Sequence, residues 1–503
     1  MTRTPISTES DWDFETLERF EKELGRLAAE YRLDTYPNQL EIISSEQMMD
    51  AYAFTGLPVN YTHWSFGKHF IATEQNYRQG QMGLAYEMVI NSNPCISYLM
   101  EENTLTMQAL VIAHAAFGHN SFFKGNYLFR TWTNAEDIVD YMVFARDYVT
   151  ECERRHGERA VEQVLDACHA LMNYGVDSCR RPVHRSAASE RERQQAREAE
   201  FQARFNDLWR TLPKEEQKDG RQAPPRFPPE PQENLLYFIE KQAPHLDAWQ
   251  RELVRIVRKV AQYFFPQRQT KVMNEGWATF WHYTLLNRLF DEGLVTTGFM
   301  LEFLESHTSV TFQPGFEDRR YRGINPYALG FAMMRDIQRI CEAPDEEDRR
   351  WFPDIAGSDW VGTLDFAMRN FKDESFIAQY LSPKLIRQFR LFAILDDDSR
   401  DEIEVTAIHD DAGYAEVRRR LAQQYAMTHY TPDIQVWRAD LRGDRSLTLR
   451  HTRHHRRPLG GTTDEVLRHA ALLWGRDVKL EEVSEDGEVL KTRTVKAALD
   501  DAA

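Results

Sequence analysis

Two short stretches decide how this chain folds: His114-Ala-Ala-Phe-Gly-His119 and Asn274-Glu-Gly-Trp-Ala-Thr-Phe-Trp-His282. Each places imidazole or carboxylate groups in an otherwise apolar run with a helical pattern. Burying such groups costs several kcal/mol unless they are paired, hydrogen-bonded or bound to a metal. We therefore expect a buried polar site where two helices meet.

The two histidines of the first stretch are five residues apart. In a regular α-helix five residues turn about 140° and climb about 7.5 Å, so the two rings would not share an ion. Gly118 offers two ways to bring His119 back beside His114, a helix end or a π-bulge at the glycine. The pair is then either a metal-binding pair or two buried histidines hydrogen-bonded to other groups.

The second stretch places Glu275 and His282 seven residues apart, on one helix face and about 10 Å apart along the axis. Both could line one elongated pocket. Glu275 could instead be a simple charge at a helix N-terminus. Glu102, just before the His114 helix, is either a helix cap or a carboxylate ligand or base.

The composition predicts a folded cytoplasmic protein. The 503 residues are 42% hydrophobic, enough for a sizeable core, and the net charge of -17 argues against nucleic-acid or anionic-membrane binding. The chain has 5 cysteines and no CxxC, which argues against a disulfide framework. We find neither a secretory signal nor an apolar run long enough to span a bilayer.

The pattern along the chain predicts two domains. Residues 1–390 read as mainly helical, with helices predicted over 98–117 and over 249–265, the second ended by the following proline. A charged, proline-rich insertion occupies residues 186–232. Residues 391–503 show short β-rich runs, at 402–408, 434–441, 446–450, 478–483 and 489–495, and two helical patterns, at 412–425 and 463–474. This predicts a small α+β domain.

Two acid-x-x-His pairs give a different interpretation. Glu153 with His156, and Asp166 with His169, have the spacing seen in carboxylate-bridged di-iron proteins. Arginines beside the first pair favour an exposed position for it. A di-iron oxidase is therefore a third functional hypothesis beside the two given below.

Two further segments carry histidines. His63 and His69 flank Trp64-Ser-Phe-Gly-Lys68, an aromatic loop that either covers a site or is simply packed. The basic stretch Arg450–Arg457 either holds phosphate, RNA or an acidic protein partner, or is a solvated loop.

A resemblance to a known family is carried by six blocks: His63–Phe70, Asn93–Asn103, His114–Phe123, Asn234–Glu240, Lys271–His282 and Asn325–Gly330. By these blocks the chain is identified as resembling the stage V sporulation protein R (SpoVR) family, including its YcgB-type members. The resemblance implies a link to sporulation and the spore cortex, and so to peptidoglycan, or to stress physiology. It also implies two partners, a serine kinase of the PrkA type and a protein with a von Willebrand-like domain.

A second resemblance is to the zinc helices of gluzincin aminopeptidases, HExxH and Asn-Glu-Gly. It implies a zincin-like helical core with one divalent ion held by His114 and Glu275, and zinc is the first candidate for that ion. Gly118 stands at the position of the second histidine, so His119 would have to replace that ligand.

The same resemblance leaves the general base open. Ala115 stands where the base glutamate belongs, and Glu102 or His282 could substitute for it. The first functional hypothesis is a metal-dependent hydrolase acting on peptide or peptidoglycan-type amides. The alternative is a non-enzymatic regulatory or scaffold protein in a PrkA-type kinase-linked stress pathway.

Overall fold

The computed structural model describes residues 4–53, 60–65, 87–175, 235–391, 393–395, 404–407, 410–427, 431–440, 443–454 and 458–497. The insertion predicted at 186–232, His69 and the end of the basic stretch lie outside the described residues.

Helices dominate the N-terminal region, as the sequence predicted. Several are amphipathic and turn their apolar faces inward, as α1 does with Leu17, Phe20 and Leu24. The helices are α1 Phe14–Glu30, α2 Ser45–Ala53, α3 Leu105–Val111, a π-helix Ile112–His119, α4 Asn120–Gly125, α5 Tyr127–Trp132, α6 Ile138–His156, α7 Glu158–Leu171, α8 Leu235–Gln242, α9 Ala248–Gln269, α10 Lys271–Asp291, α11 Thr297–Val310, α12 Pro326–Glu342, α13 Glu346–Trp351, α14 Trp360–Asn370, α15 Asp373–Tyr380 and α16 Pro383–Gln388.

A three-stranded sheet lies among these helices, and the sequence reading missed it. Its strands are β1 Asn38–Ile43, β2 Glu87–Ile90 and β3 Cys95–Met100, in the order β1-β3-β2. β3 is parallel to β1 and antiparallel to β2. The helix predicted from residue 98 was therefore wrong at its start, since β3 ends at Met100 and Thr104 caps α3. β3 is buried on both faces, and such a strand has no alternation that separates it from a buried helix.

The second correction concerns Pro266. It lies inside α9, which continues to Gln269, so the predicted end of that helix was wrong. Proline lacks only its own N–H, and its ring crowds the preceding turn without making continuation impossible. Thr270 then bonds the Pro266 carbonyl through its hydroxyl, which satisfies an acceptor at the helix end.

The C-terminal part is an α+β unit, which confirms the predicted fold class. Its elements are β4 Ala393–Leu395, β5 Glu404–Ala407, α17 Asp411–Gln424, β6 Asp433–Ala439, β7 Leu447–Thr452, α18 Thr463–Trp474, β8 Val478–Val483 and β9 Val489–Val495. The larger sheet has the order β6-β7-β8-β9, and α18 connects the parallel pair β7 and β8. Buried side chains of this sheet share one core with α7, α8 and α9.

Candidate metal centre

The π-helix places the two histidines of the first stretch side by side. Of the two possibilities that the spacing allowed, the structure has the π-helix, and it extends over Ile112–His119. Its wider turn, with hydrogen bonds from residue i+5 to residue i, brings residues five apart onto one face. The Asn120 N–H donates to the Ala115 carbonyl in this pattern. The ring centroids of His114 and His119 are 4.7 Å apart.

Glycines let α10 approach this π-helix closely. A Cβ on Gly118 would lie 2.6 Å from Ala278 Cα, so no larger residue fits there without moving the backbone. On the other side of α10, a Cβ on Gly276 would lie 2.4 Å from Gly330 Cα in α12. α10 is thus held between the π-helix and α12, and this fixes the position of Glu275.

Four side chains converge between β2, the π-helix and α10. The nearest pair is His114 Nε2 and Glu87 Oε1 at 3.1 Å, and His119 Nε2 lies 3.7 Å from the same oxygen. Glu275 Oε2 lies 3.8 Å from His114 Nε2 and 3.6 Å from His119 Nε2. We call Glu87, His114, His119 and Glu275 the candidate metal centre. All four side chains are less than one-fifth exposed.

The charges of this centre are strongly coupled. Burial opposes ionisation of Glu87, but the charges and hydrogen bonds of His114 and His119 hold its pKa down to about 2. Burial opposes the charge of His114 too, yet Glu87 and Glu275 raise its pKa to about 9. Burial raises the pKa of Glu275, and the two imidazoles lower it by more. In the absence of an ion, a protonated imidazole therefore balances the buried carboxylates.

An outer set of hydrogen bonds turns both Nε2 atoms toward the carboxylates. His114 Nδ1 contacts His282 Nδ1 at 2.8 Å, and His119 Nδ1 contacts Asn274 Oδ1 at 2.9 Å. His282 Nε2 in turn contacts His307 Nδ1 at 2.9 Å. Burial, together with the charge of His114, lowers the pKa of His282 well below its usual range and that of His307 to about 4. The two outer histidines are therefore neutral.

The structure brings together most of the residues singled out from the sequence. His114, His119 and Glu275 lie in the centre, and His282 contacts it through His114. Glu102 is exposed at the end of β3, and its carboxylate accepts from the Ser45 N–H, so the structure separates it from this buried centre.

Sequence reasoning missed two residues. Glu87 begins β2 and supplies the carboxylate closest to His114. Its one signal in the sequence was its place as an acid directly before the apolar residues Met88-Val-Ile90. An acid there can simply mark the end of a strand, so a single sequence does not identify it as a site residue. His307 on α11 gave no signal, because it reaches His282 only through the packing of α11 on α10.

The structure does not assemble a di-iron site from the two acid-x-x-His pairs. His156 is exposed and stacks on Trp249 at 4.3 Å between centroids, whereas His169 contacts Tyr61. In the part of the chain that the structure describes, the one group of three or more potential ligands with metal-binding spacing is Glu87 with the two π-helix histidines.

Comparison with known proteins agrees with the sequence resemblance. The family model described as SpoVR like protein matches residues 11–430, and the SpoVR-like C-terminal domain matches residues 432–485. The chain belongs to the SpoVR family. It is 62% identical over 486 residues to the protein YcgB of Escherichia coli (strain K12), a match that covers 97% of this chain and 95% of that protein. This confirms the predicted YcgB-type membership.

No solved structure matches the chain. Among the helices of the described ranges, none has the length and apolarity needed to cross a membrane.

Proposed function

We propose that this SpoVR-family protein is a metal-dependent hydrolase that binds one divalent ion, with zinc as the first to test. Its substrate would be an amide of a peptide or a peptidoglycan fragment in the cytoplasm. The observation that carries the proposal is the convergence of two imidazole Nε2 atoms and two carboxylates in one buried centre.

The residues fit such an ion in three respects. Imidazole and carboxylate are the ligands that zinc takes in catalytic sites. Glu275 Oε2 is buried and forms no hydrogen bond with any described residue, as expected of an oxygen whose partner is a bound ion. Each histidine is also oriented through its Nδ1, His114 by His282 and His119 by Asn274, as metal-bound histidines usually are.

The proposed roles follow the order of the two motifs. His114, His119 and Glu275 would hold the ion, which would polarise an amide carbonyl and lower the pKa of a water. Glu87 would supply the carboxylate that is missing at Ala115 and would accept a proton as general base, because its oxygen lies beside both imidazoles. Glu87 thereby replaces Glu102 and His282 as the proposed base, and His282 becomes a residue that positions His114.

One observation favours the alternative of a regulatory or scaffold protein. Glu87 and Glu275 together with two histidines supply four protein ligands, and a closed set of four is typical of structural zinc sites. The centre would then stabilise a surface for partners such as a PrkA-type serine kinase or a protein with a von Willebrand-like domain.

Metal analysis tests whether the centre binds an ion, which the hydrolase requires. We expect wild-type protein to hold about one zinc per chain by elemental mass spectrometry, and His114→Ala and Glu275→Gln to lose it. His156→Ala, an exposed histidine away from the centre, is the matched control and should keep the metal. A folded wild-type protein without metal after zinc reconstitution would refute the hydrolase.

Glu87→Gln then decides between base and ligand. If Glu87 is the base, this variant keeps its zinc but loses at least about 100-fold in hydrolysis across a library of peptide and muropeptide amides. If the variant loses zinc as Glu275→Gln does, Glu87 is a fourth ligand and the scaffold function is favoured.

A further inference from the structure

A second polar cluster lies where the segment 60–65 packs against α7, and it shares no residue with the candidate metal centre. Tyr61 anchors the segment: its ring is 1% exposed within the helical core, and its hydroxyl contacts His169 Nε2 at 2.8 Å. The rings of His63 and His169 stack with centroids 4.1 Å apart and an angle of 9° between their planes.

Ser65 lies between these two imidazoles. Its Oγ is 2.7 Å from His63 Nδ1 and 3.4 Å from His169 Nδ1. On the far side of the first ring, His63 Nε2 lies 3.1 Å from Asp166 Oδ1. A hydroxyl, an imidazole and a carboxylate are therefore joined in a row, the order in which a serine nucleophile is activated.

The direction of each hydrogen bond follows from the protonation of the rings. Burial lowers the pKa of His63, and burial with the neighbouring His63 lowers the pKa of His169 to about 3, so both rings are neutral. A neutral imidazole has one donor and one acceptor nitrogen. Asp166 accepts from His63 Nε2–H and from the indole of Trp64, so His63 Nδ1 is the acceptor for the Ser65 hydroxyl and for the Ser65 backbone N–H.

His169 completes the same pattern on the other side. The Tyr61 hydroxyl contacts His169 Nε2, and in the tautomer where it donates to that nitrogen, His169 Nδ1–H faces Ser65 Oγ. Ser65 can give its proton to His63 while His169 stabilises the negative charge that develops on Oγ. In that tautomer the network offers one hydroxyl both a proton acceptor, His63 Nδ1, and a hydrogen-bond donor, His169 Nδ1.

We propose that Ser65 is a nucleophile, activated by His63 and Asp166, that reacts with the carbonyl of a carboxylic ester or amide. Ser65 is half-buried and the Asp166 side chain is 32% exposed, so a substrate carbonyl can reach the cluster from solvent. The indole of Trp64, 56% exposed beside them, offers an apolar surface for the acyl chain.

The reaction balances with water as the co-substrate. Ser65 Oγ forms a bond to the carbonyl carbon while its proton passes to His63 Nδ1, and Asp166 stabilises the resulting imidazolium. Collapse of the adduct breaks the bond to the alcohol or amine, which leaves with the proton from His63. Water then attacks the acyl-serine, His63 takes its proton and returns it to Ser65, and a carboxylic acid is released.

An alkyl fluorophosphonate tests the nucleophile directly on the full-length wild-type protein. Its phosphorus forms a bond to Ser65 Oγ as the P–F bond breaks, and the serine proton leaves through His63. We expect one phosphonyl adduct per chain, located at Ser65 by peptide mass spectrometry. The adduct should form equally fast with a metal chelator present, which separates this site from the candidate metal centre.

Variants test the activation. Ser65→Ala should abolish the adduct, and Asp166→Asn, which keeps a hydrogen-bond acceptor but removes the charge, should slow labelling at least about tenfold. Ser358→Ala, a half-buried serine bonded to Thr363, is the control and should label normally. No adduct on folded wild type, an adduct elsewhere, or labelling at Ser65 that is unchanged in Asp166→Asn would each overturn the proposal.

Discussion

Replacing Gly330 by alanine should force α10 and α12 apart and loosen the candidate metal centre. A Cβ at this position would lie 2.1 Å from the Val272 carbonyl oxygen and 2.6 Å from Gly276 Cα. Both are backbone atoms, so no side chain can rotate away. To restore ordinary contact distances, the two helices must separate by about 1 Å.

The magnitude follows from two opposing contributions. Alanine is favoured over glycine by about 1 kcal/mol in a helix interior. Overpacking costs about 1–3 kcal/mol, and close contact with backbone atoms of two α10 residues puts Gly330→Ala at or above the upper end. We expect a net loss of about 2 kcal/mol in the free energy of unfolding. Glu275 adjoins Gly276 and would move with it, so zinc affinity should fall about tenfold or more.

The assay compares Gly330→Ala with Gly298→Ala. The control lies in α11, where the nearest atom to an added Cβ is Thr296 Oγ1 at 3.8 Å, an ordinary contact. Thermal melting of the metal-free proteins compares their stability, and competition with a zinc-binding dye compares their zinc affinity. The packing argument is refuted if Gly330→Ala melts no lower than Gly298→Ala, and the link to the centre is refuted if the two bind zinc equally.

Two other changes probe buried groups near these helices. Asn126→Ala should cost about 3 kcal/mol of unfolding free energy, because the fully buried amide caps α5 and donates to two carbonyls at the end of α14. Urea denaturation beside the exposed Asn134→Ala measures this, and equal losses would contradict it. With a metal chelator present, the free energy of unfolding of His307→Gln should fall less steeply at acidic pH than that of wild type. The folded pKa of His307 is about 4, below its ordinary value of 6.5, so its contribution is complete above about pH 6.5 and is lost as pH falls toward 4. The loss of unfolding free energy on acidification should be larger in wild type than in the variant by about 3 kcal/mol. Parallel pH profiles of the two proteins would disprove it.

Local patterns explain what the sequence predicted well. α18 occupies Thr463–Trp474, the residues where its helical period was read, and β8 and β9 also have their predicted bounds. α18 repeats its apolar residues on one face and β8 alternates them, so the residues of these two elements report their structure. The convergence of His114 with Glu275 was expected on similar grounds, since each interrupts an apolar helix.

Contacts between distant residues explain what the sequence left open. Glu87 reaches His114 because β2 pairs with β3 beside the π-helix, and no local pattern reports that pairing. The sequence analysis singled out Glu102 and missed Glu87, yet Glu102 follows β3 by a turn and faces solvent. The difference between the two acids is one of position in a sheet, which a single sequence does not encode.

Tertiary contacts also explain why Ile112–His119 forms a π-helix and why the helix does not end at Gly118. An α-helix through residues 112–119 would turn His119 about 140° away from His114. Three contacts with α10 hold the wider turn: His114 with His282, His119 with Asn274, and Gly118 against Ala278. Because each contact needs both elements in place, the π-helix and α10 should form and unfold as one unit. An ion bound between them would then stabilise both together, by an amount that rises with its concentration.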